Sequence, residues 1–366
     1  MVVMVHLSSL EAASTLPFFK MLAVEYIQQW HIGVVIFFVL SGFLITTRYA
    51  DRIEPRWAWF GRYLQNRFAR IYPIYFLLTA FTFVVMVGWP THGWWEWNAT
   101  YTAKEKLSAV LLNVTLLRAY FNQFSVLGLP TAWSLTVEET FYLVAPLLLL
   151  GLRRNPWRMV VYPLLLLMLG FVLVAFCGHF LPYYGLMKDV RFMLGITFFG
   201  HSAEFVWGMA LALWVARQPR RASRRTGYTV AGAGGILFYM LVLSVLIHLY
   251  PSLAHATAEG VDWSYGLIIA SNVVLPVLVC GLLWGLISEQ TLLRRLLETR
   301  LFVAMGKASY VLYLLHLGTV DYLFRKHVSG NSLVCIGAYT VISLVLYQVV
   351  ERPLQRRLQA RPLAVG

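Results

Sequence analysis

Long apolar stretches alternate along the chain with short polar segments that are rich in arginine and aromatic residues. Nine of these stretches are long enough to cross a bilayer as a helix, which takes roughly 20 residues. They lie near residues 31–50, 71–89, 133–152, 159–178, 192–216, 227–249, 264–287, 303–324 and 332–350. A further apolar stretch at 1–10 has only half that length, so we expect the chain to begin inside its first helix. The pattern predicts an all-α, polytopic membrane helix bundle of about ten transmembrane helices with the first one truncated.

The composition agrees with this pattern. Of the 366 residues 59% are hydrophobic and only 13% are charged, whereas soluble domains carry about 25% charged residues. The net charge of +14 comes mostly from arginines at the ends of apolar stretches, which is typical of contact with anionic lipid rather than with nucleic acid. Cys177, Cys280 and Cys335 show no CxxC spacing, so neither a disulfide framework nor a zinc site is indicated.

The distribution of basic residues predicts the orientation. Alternate loops carry 21 arginines on one side of the membrane and 8 lysines and arginines on the other. The positive-inside rule therefore places the arginine-rich side and both termini in the cytoplasm. We expect one transmembrane domain over 1–350 and a cytoplasmic basic tail over 351–366. The leftover helical segment 107–120 is interpreted as an interfacial or re-entrant helix on the outer side.

Two arginines stand at the mouth of the apolar stretch 71–89. Arg67 and Arg70 are three residues apart, which places them on one side of a helix. Guanidinium groups match phosphate oxygens in a bidentate manner that lysine cannot reproduce. Two interpretations stay open for this pair, namely ordinary positive-inside anchoring and a port that binds an anion.

Ionisable residues inside apolar helices are costly and are functional candidates by default. His6 lies in the first apolar segment, and an imidazole can act as a general base. Ser134, Glu138 and Tyr142 recur every four residues and share one helix face, and Glu139 adds a second carboxylate. A helix N-terminus also favours acidic residues, so helix capping is the alternative explanation of these two carboxylates.

Two further polar sets lie in apolar stretches. Tyr313 and His316 fall within one helical turn, either as part of a site or as interhelical hydrogen-bonding groups. Ser41 and Gly42 form a small step in an aromatic helix, where another backbone or a ligand can come close.

Metal and serine-nucleophile chemistry are not indicated. His201 and Glu204 are three residues apart and could pair, but two ligands without a third make a poor metal site. The sequence also contains no GxSxG, Walker, HExxH or dinucleotide-binding motif in the required context. We therefore expect no bound metal and no bound cofactor.

Five motifs occur in a fixed order along the chain: FFVLSGFLI at 37–45, RFARIYP at 67–73, WSLTVEETFY at 133–142, SYVLYLLH at 309–316 and ERP at 351–353. Together they resemble the acyltransferase 3 family of integral-membrane acyltransferases. This resemblance implies ten spans, an acyl-coenzyme A donor on the cytoplasmic side and a carbohydrate acceptor of the cell envelope.

The resemblance also implies roles for individual residues. His6 falls on the position of the catalytic histidine, and Glu138 would orient it. The predicted donor-binding residues are Arg67, Arg70, Tyr72, Ser41 and Gly42, and the predicted acceptor or supporting residues are Glu139, Ser134, Tyr142, Tyr313 and His316. Family members typically carry a basic residue about eleven positions before the histidine, so we expect the true start to lie upstream of Met1. Gly318 stands where a proline after the histidine is common.

The sequence thus predicts an integral-membrane O-acyltransferase of a bacterial inner membrane. It would move an acyl group, with acetyl as the first choice, from acyl-coenzyme A to a hydroxyl of an envelope or exported polysaccharide or glycolipid. Direct transfer and a route through an acylated His6 both stay open. The alternative is a multi-span transporter or exporter of a polar or glycan solute, which would more often show an internal repeat with matched helix breaks. Membrane lipid is an expected partner, and nucleic acid is not.

Overall fold

The computed structural model describes residues 32–88, 101–218, 227–250, 254–257 and 260–360. These fall into two compact units. Unit 1 contains the described residues within Met1–Asp51 and Leu147–Thr299, and unit 2 contains those within Arg52–Pro146 and Arg300–Gly366. His6 and the predicted truncated first helix lie outside the described residues.

The described part of the chain is helical apart from one short hairpin. The helices are α1 Gly33–Tyr49, α2 Trp57–Gly88, α3 Ala103–Val114, α4 Trp133–Arg154, α5 Arg158–Phe180, α6 Val190–Ile196, α7 Phe198–Arg217, α8 Tyr228–Leu249, α9 Tyr265–Ser288, α10 Leu292–Leu297, α11 Arg300–Leu315, α12 Thr319–His327, α13 Ser332–Leu346 and α14 Arg352–Leu358. A π-helical turn, Tyr347–Glu351, joins α13 to α14. Strands β1 Ala254–Thr257 and β2 Gly260–Trp263 pair antiparallel.

The predicted polytopic helix bundle is confirmed, whereas the predicted number of ten spans is not established. Within the described residues seven helical segments are long and apolar enough to cross a membrane, and the bent pair α11 and α12 makes an eighth if it forms one span. Helix α1 is apolar but has only 17 residues. The cytoplasmic location of the termini and the single domain over 1–350 stay predictions.

Helix α2 is longer than its apolar stretch predicts. It has 32 residues and begins at Trp57, although the prediction began the span near residue 71. A helix of that length measures about 48 Å at 1.5 Å per residue, more than the hydrocarbon core of about 30 Å. Pro73 inside it removes one backbone donor but does not end the helix. The arginine-bearing first half is therefore continuous with the span.

Two other predicted segments differ in the structure. The helix predicted at 107–120 begins at Ala103, because Thr102 and Glu105 form a capping box, and it ends at Val114. The span predicted at 303–324 is broken between α11 and α12, which meet at a bend of 84°. Gly318 at the break has a φ of +102°. A proline, with its φ near −65°, cannot adopt this conformation, which explains a glycine at this position.

The core of unit 1 forms where α1 packs against α7. Gly42 of α1 lies against the backbone of Phe205, and Gly208 of α7 lies against the backbone of Val39. Small residues at such a crossing let two helix backbones approach closely in a membrane. On another side of α1, buried apolar residues pack with side chains of α8 and α9: Ile32, Val35, Val39, Ile236, Met240, Leu275 and Val279.

In unit 2 the last helix is tied to α2. The Gln65 side-chain amide donates to the carbonyl of Leu358 at 3.0 Å, and the backbone N–H of Ala360 donates to Asn66 Oδ1 at 3.1 Å. The predicted basic tail, 351–366, therefore begins as a helix packed within unit 2 as far as the described residues reach.

Candidate active site

A buried carboxylate, a phenol and a guanidinium meet in unit 2. Glu138 on α4 is only 3% exposed, and the hydroxyl of Tyr142, one turn further along, donates to its Oε1. The Arg67 guanidinium of α2 lies over the Tyr142 ring, 5.6 Å from the ring centroid. The predicted shared face of Glu138 and Tyr142 is thereby confirmed. A charged group removed from water needs such partners, because leaving it unpaired costs several kcal/mol.

A second carboxylate extends this cluster. Glu139 is partly buried and interacts electrostatically with Glu138 and with Arg67. Tyr72 is electrostatically coupled to Glu139, and its ring stacks on Phe68 at a centroid distance of 4.3 Å. Arg67 is therefore a nearby positive charge that offsets the negative charge of Glu139.

The two arginines of the RFARIYP motif lie in different environments. Arg67 is buried with 7% exposure, whereas Arg70 is exposed. Residues three positions apart in a helix differ by about 60° around its axis, which is enough to cross from the packed face to the open one. Arg70 acts electrostatically on Glu351 and on Tyr142. Its guanidinium is accessible to a ligand from solution in a way that the guanidinium of Arg67 is not.

The predicted supporting residues of α4 and α11 form a second network. Ser134 Oγ and Tyr313 Oη are 2.8 Å apart, and both hydroxyls also lie within hydrogen-bonding distance of the Thr131 carbonyl. His316 is fully buried, and its Nδ1 lies 2.8 Å from the Tyr313 carbonyl. Because a carbonyl only accepts, Nδ1 carries a proton. This network joins the start of α4 to the end of α11.

Two site residues were missed by sequence reasoning although they lie in the quoted motifs. Tyr310 donates from its hydroxyl to the Ile71 carbonyl of α2 at 2.9 Å and is electrostatically coupled to Glu138, Glu139 and Glu351. Glu351 is a 5% exposed carboxyl at the end of the π-helical turn. Turns of this kind often occur at functional sites. The sequence signal that could have indicated Glu351 is its position in the ERP motif.

Arg118, which the sequence analysis did not single out, is the largest fully buried side chain of the described residues. Its guanidinium donates to Asn113 Oδ1 at 2.9 Å and to the carbonyls of Leu127 and Leu129. Burial lowers the pKa of Arg118, because desolvation disfavours the charged form. Arg118 thus fixes the irregular segment that leads into α4.

Further bonds attach the same segment to its surroundings. The Tyr75 hydroxyl of α2 donates to the Asn113 carbonyl at 2.7 Å. Tyr120 Oη lies 2.8 Å from Thr140 Oγ1 on α4, and burial raises the pKa of Tyr120 to about 12. These bonds attach the segment to α2 through Tyr75 and to α4 through Thr140, which is next to Glu139 in sequence.

The predicted residues of unit 1 serve in helix packing. Gly42 lies against the Phe205 carbonyl, with no room for a Cβ, and the neighbouring Ser41 is 7% exposed. Donor binding by Ser41 and Gly42 stays a prediction. His201 Nδ1 lies 2.8 Å from Glu204 Oε1, and its Nε2 lies 3.0 Å from the Gly195 carbonyl. Both ring nitrogens thus have protein partners, which confirms the predicted pairing and leaves neither for a metal.

Comparisons with known proteins agree with these motifs. The family model described as an acyltransferase domain (Acyl_transf_3) matches residues 1–350. A putative O-acetyltransferase of Staphylococcus aureus strain COL is 23% identical over 358 residues, which cover 90% of this chain and 54% of that protein. The O-acetyltransferase OatA of S. aureus strain NCTC 8325 is 22% identical over 366 residues, covering 91% of this chain and 54% of OatA. The chain thus spans about half the length of these relatives. No solved structure matches it.

Proposed function

The chain belongs to the acyltransferase 3 family, and from this membership we propose that it is an integral-membrane O-acyltransferase. It transfers an acyl group, with acetyl as the first choice, from acyl-coenzyme A to a hydroxyl of an envelope or exported polysaccharide or glycolipid. The observation that carries this proposal is the buried cluster of Glu138, Tyr142 and Arg67. It is built from two of the five family motifs on helices that are apolar enough to span a membrane.

In this proposal His6 is the general base. It removes the proton from the acceptor hydroxyl, and the oxygen attacks the thioester carbonyl. The carbon–sulfur bond breaks, and the coenzyme A thiolate recovers the proton from the imidazolium. Glu138 stabilises that imidazolium, as the carboxylate of a catalytic triad does. Tyr142 acts as a positioning residue, because its hydroxyl holds one carboxylate oxygen of Glu138.

The two arginines take different parts. Arg70 is exposed and contacts a phosphate of the donor. A charge-assisted hydrogen bond of this kind contributes about 1.5–3 kcal/mol. Arg67 is buried beside Glu139 and the Tyr142 ring, and its charge partly offsets the repulsion that Glu138 exerts on Glu139. Tyr72 is on α2, as both arginines are, and it interacts electrostatically with Glu139 of α4. In this proposal it borders the path of the donor's acyl-pantetheine arm.

Donor binding is tested by thermal shift of the purified protein with acetyl-coenzyme A. Arg70→Lys keeps the charge but loses the bidentate geometry, so we expect a smaller rise of the melting temperature than in the parent protein. Arg62→Lys, on the same helix two turns earlier, is the matched control and should show the parent shift. An equal rise of the melting temperature in all three proteins would show that Arg70 does not bind the donor.

Transfer is tested in cells that carry only one variant. Cells with His6→Ala should lose the acyl groups of their envelope glycans, measured by mass spectrometry, while the protein stays inserted in the membrane. The control is His179→Ala, a change at an exposed histidine of α5. Normal acylation in cells with the His6→Ala variant would contradict the role of His6 as general base. Glycan acylation that is unchanged in cells without the protein would favour the alternative function, a transporter.

A further inference from the structure

Unit 1 contains a cleft of about 370 Å³ that the proposed chemistry does not use. Its walls come from the turn between α4 and α5, from α5 and α9, and from the last turns of α7. Leu152, Met159, Trp207 and Trp214 are among its lining residues, and Arg217 is the one charged group among them. Cavities of about 300–1,000 Å³ are the size of ligand sites.

The charge at this cleft has one sign. Arg217 is exposed in the last turn of α7. Arg153 and Arg154 follow the lining residue Leu152 in sequence but do not line the cleft, and Arg153 donates to the carbonyl of Ala50. No acidic residue is among the lining residues. An apolar cleft with the exposed Arg217 among its lining residues matches a molecule with a long hydrocarbon chain and an anionic head.

The surroundings of the cleft fit the edge of a membrane. Trp157, in the turn between α4 and α5, is 75% exposed, and Trp214 is 44% exposed. Exposed tryptophans of this kind concentrate at the headgroup level of a bilayer. The arginine-rich loops assign this end of α4 and α7 to the cytoplasmic leaflet by the positive-inside rule, where anionic lipids are attracted by basic residues.

We propose that this cleft is a binding site for one anionic phospholipid of the cytoplasmic leaflet. One acyl chain fills the apolar cleft between α5, α7 and α9, and the phosphate contacts the Arg217 guanidinium, whose planar fork suits phosphate oxygens. None of Glu138, Arg67 and Arg70 lines this cleft, so the lipid site does not rest on the proposed acyl transfer.

Native mass spectrometry of the full chain in detergent tests the site. The probes are phosphatidylglycerol and phosphatidylcholine with identical acyl chains. We expect one phosphatidylglycerol to be retained about fivefold more tightly, since a basic side chain near an anionic surface contributes about 1 kcal/mol. Arg217→Gln should lower phosphatidylglycerol retention to that of phosphatidylcholine. Arg356→Gln, which changes an exposed arginine in the last turn of α14 in unit 2, should keep the preference.

A second arm locates the lipid. A phosphatidylglycerol with a photoreactive group in one acyl chain should crosslink to the cleft-lining residues of α5 and α7. Ala210→Leu, which narrows the cleft without changing its charge, should reduce this crosslinking severalfold. Equal retention of both lipids, an unchanged preference with Arg217→Gln, or crosslinks confined to other helices would overturn the proposal. Displacement of the lipid by acetyl-coenzyme A would assign the cleft to the donor and overturn it as well.

Discussion

Replacing Gly42 by alanine separates its two possible roles. In the structure a Cβ at this position would overlap the carbonyl group of Phe205, and a Cβ at Gly208 would overlap that of Val39. Both obstacles are backbone atoms, so no side-chain rotation relieves the overlap. Gly42→Ala and Gly208→Ala must therefore push α1 and α7 apart.

The expected size follows from two opposing terms. Alanine is favoured over glycine inside a helix by about 0.8–1.0 kcal/mol. Overpacking of a close contact costs about 1–3 kcal/mol, and contact with a rigid backbone belongs at the upper end. The net effect is a destabilisation of about 2 kcal/mol for either substitution, by the difference of these terms. The double variant should lose less than the sum, because the first substitution already separates the helices.

Thermal unfolding of the purified protein in detergent measures this effect. The matched control is Gly281→Ala in α9, where no atom lies within 4 Å of the added Cβ. That variant should melt at or slightly above the temperature of the parent protein. A fall of several degrees for Gly42→Ala, with none for Gly281→Ala, confirms a packing role.

The opposite result is equally informative. If Gly42→Ala melts like the parent protein but no longer gains stability from acetyl-coenzyme A, the close approach of α1 and α7 is wrong. The glycine would then border the donor path, as the sequence predicted. Because the two readouts are independent, a packing role and a binding role cannot be confused.

Three further substitutions test buried polar groups. Tyr142→Phe removes only the hydroxyl that donates to Glu138, so kcat/KM should fall about tenfold, as loss of about 1.5 kcal/mol implies, and an unchanged value would contradict the positioning role. Arg118→Leu leaves two buried carbonyls without their hydrogen-bond donor, which should lower the free energy of unfolding by about 1–3 kcal/mol for each carbonyl. An unchanged melting temperature would show that the segment before α4 does not depend on Arg118. His201→Leu leaves Glu204 as an unpaired buried charge, at a cost of about 3–5 kcal/mol; adding Glu204→Leu should restore much of the stability, and no recovery would disprove the pair.

The helices of this protein could largely be predicted because each membrane span is a long run of apolar residues. The helix boundaries could not be predicted where polar residues continue the helix beyond that run. Helix α2 begins at Trp57 because the arginine-rich segment before the span is helical as well. The apolar pattern did not indicate the break between α11 and α12, where Gly318 has a φ of +102° and the two helices meet at a bend of 84°.

The candidate site was predictable within a helix and not between helices. Spacing by four predicts that Glu138 and Tyr142 meet, and they do. No periodicity relates Arg67 to the ring of Tyr142, because that contact depends on how α2 and α4 pack. Arg118 was overlooked for the same reason, since its partners are backbone carbonyls that any sequence would supply.

The balance of charges in unit 2 changes how the arginine pair must act. Glu139 interacts electrostatically with Arg67, and Glu351 does so with Arg70. Glu138 accepts a hydrogen bond from Tyr142, whose ring lies beneath the guanidinium of Arg67. A simple anion port would present positive charge in excess. Here Arg67 is already engaged by Glu139 and by the ring of Tyr142, both on α4. Under the proposed function, a donor phosphate at Arg70 would compete with Glu351 for the charge of that guanidinium. If Arg70 binds the donor as proposed, donor binding should therefore depend on Glu351, which directly precedes α14.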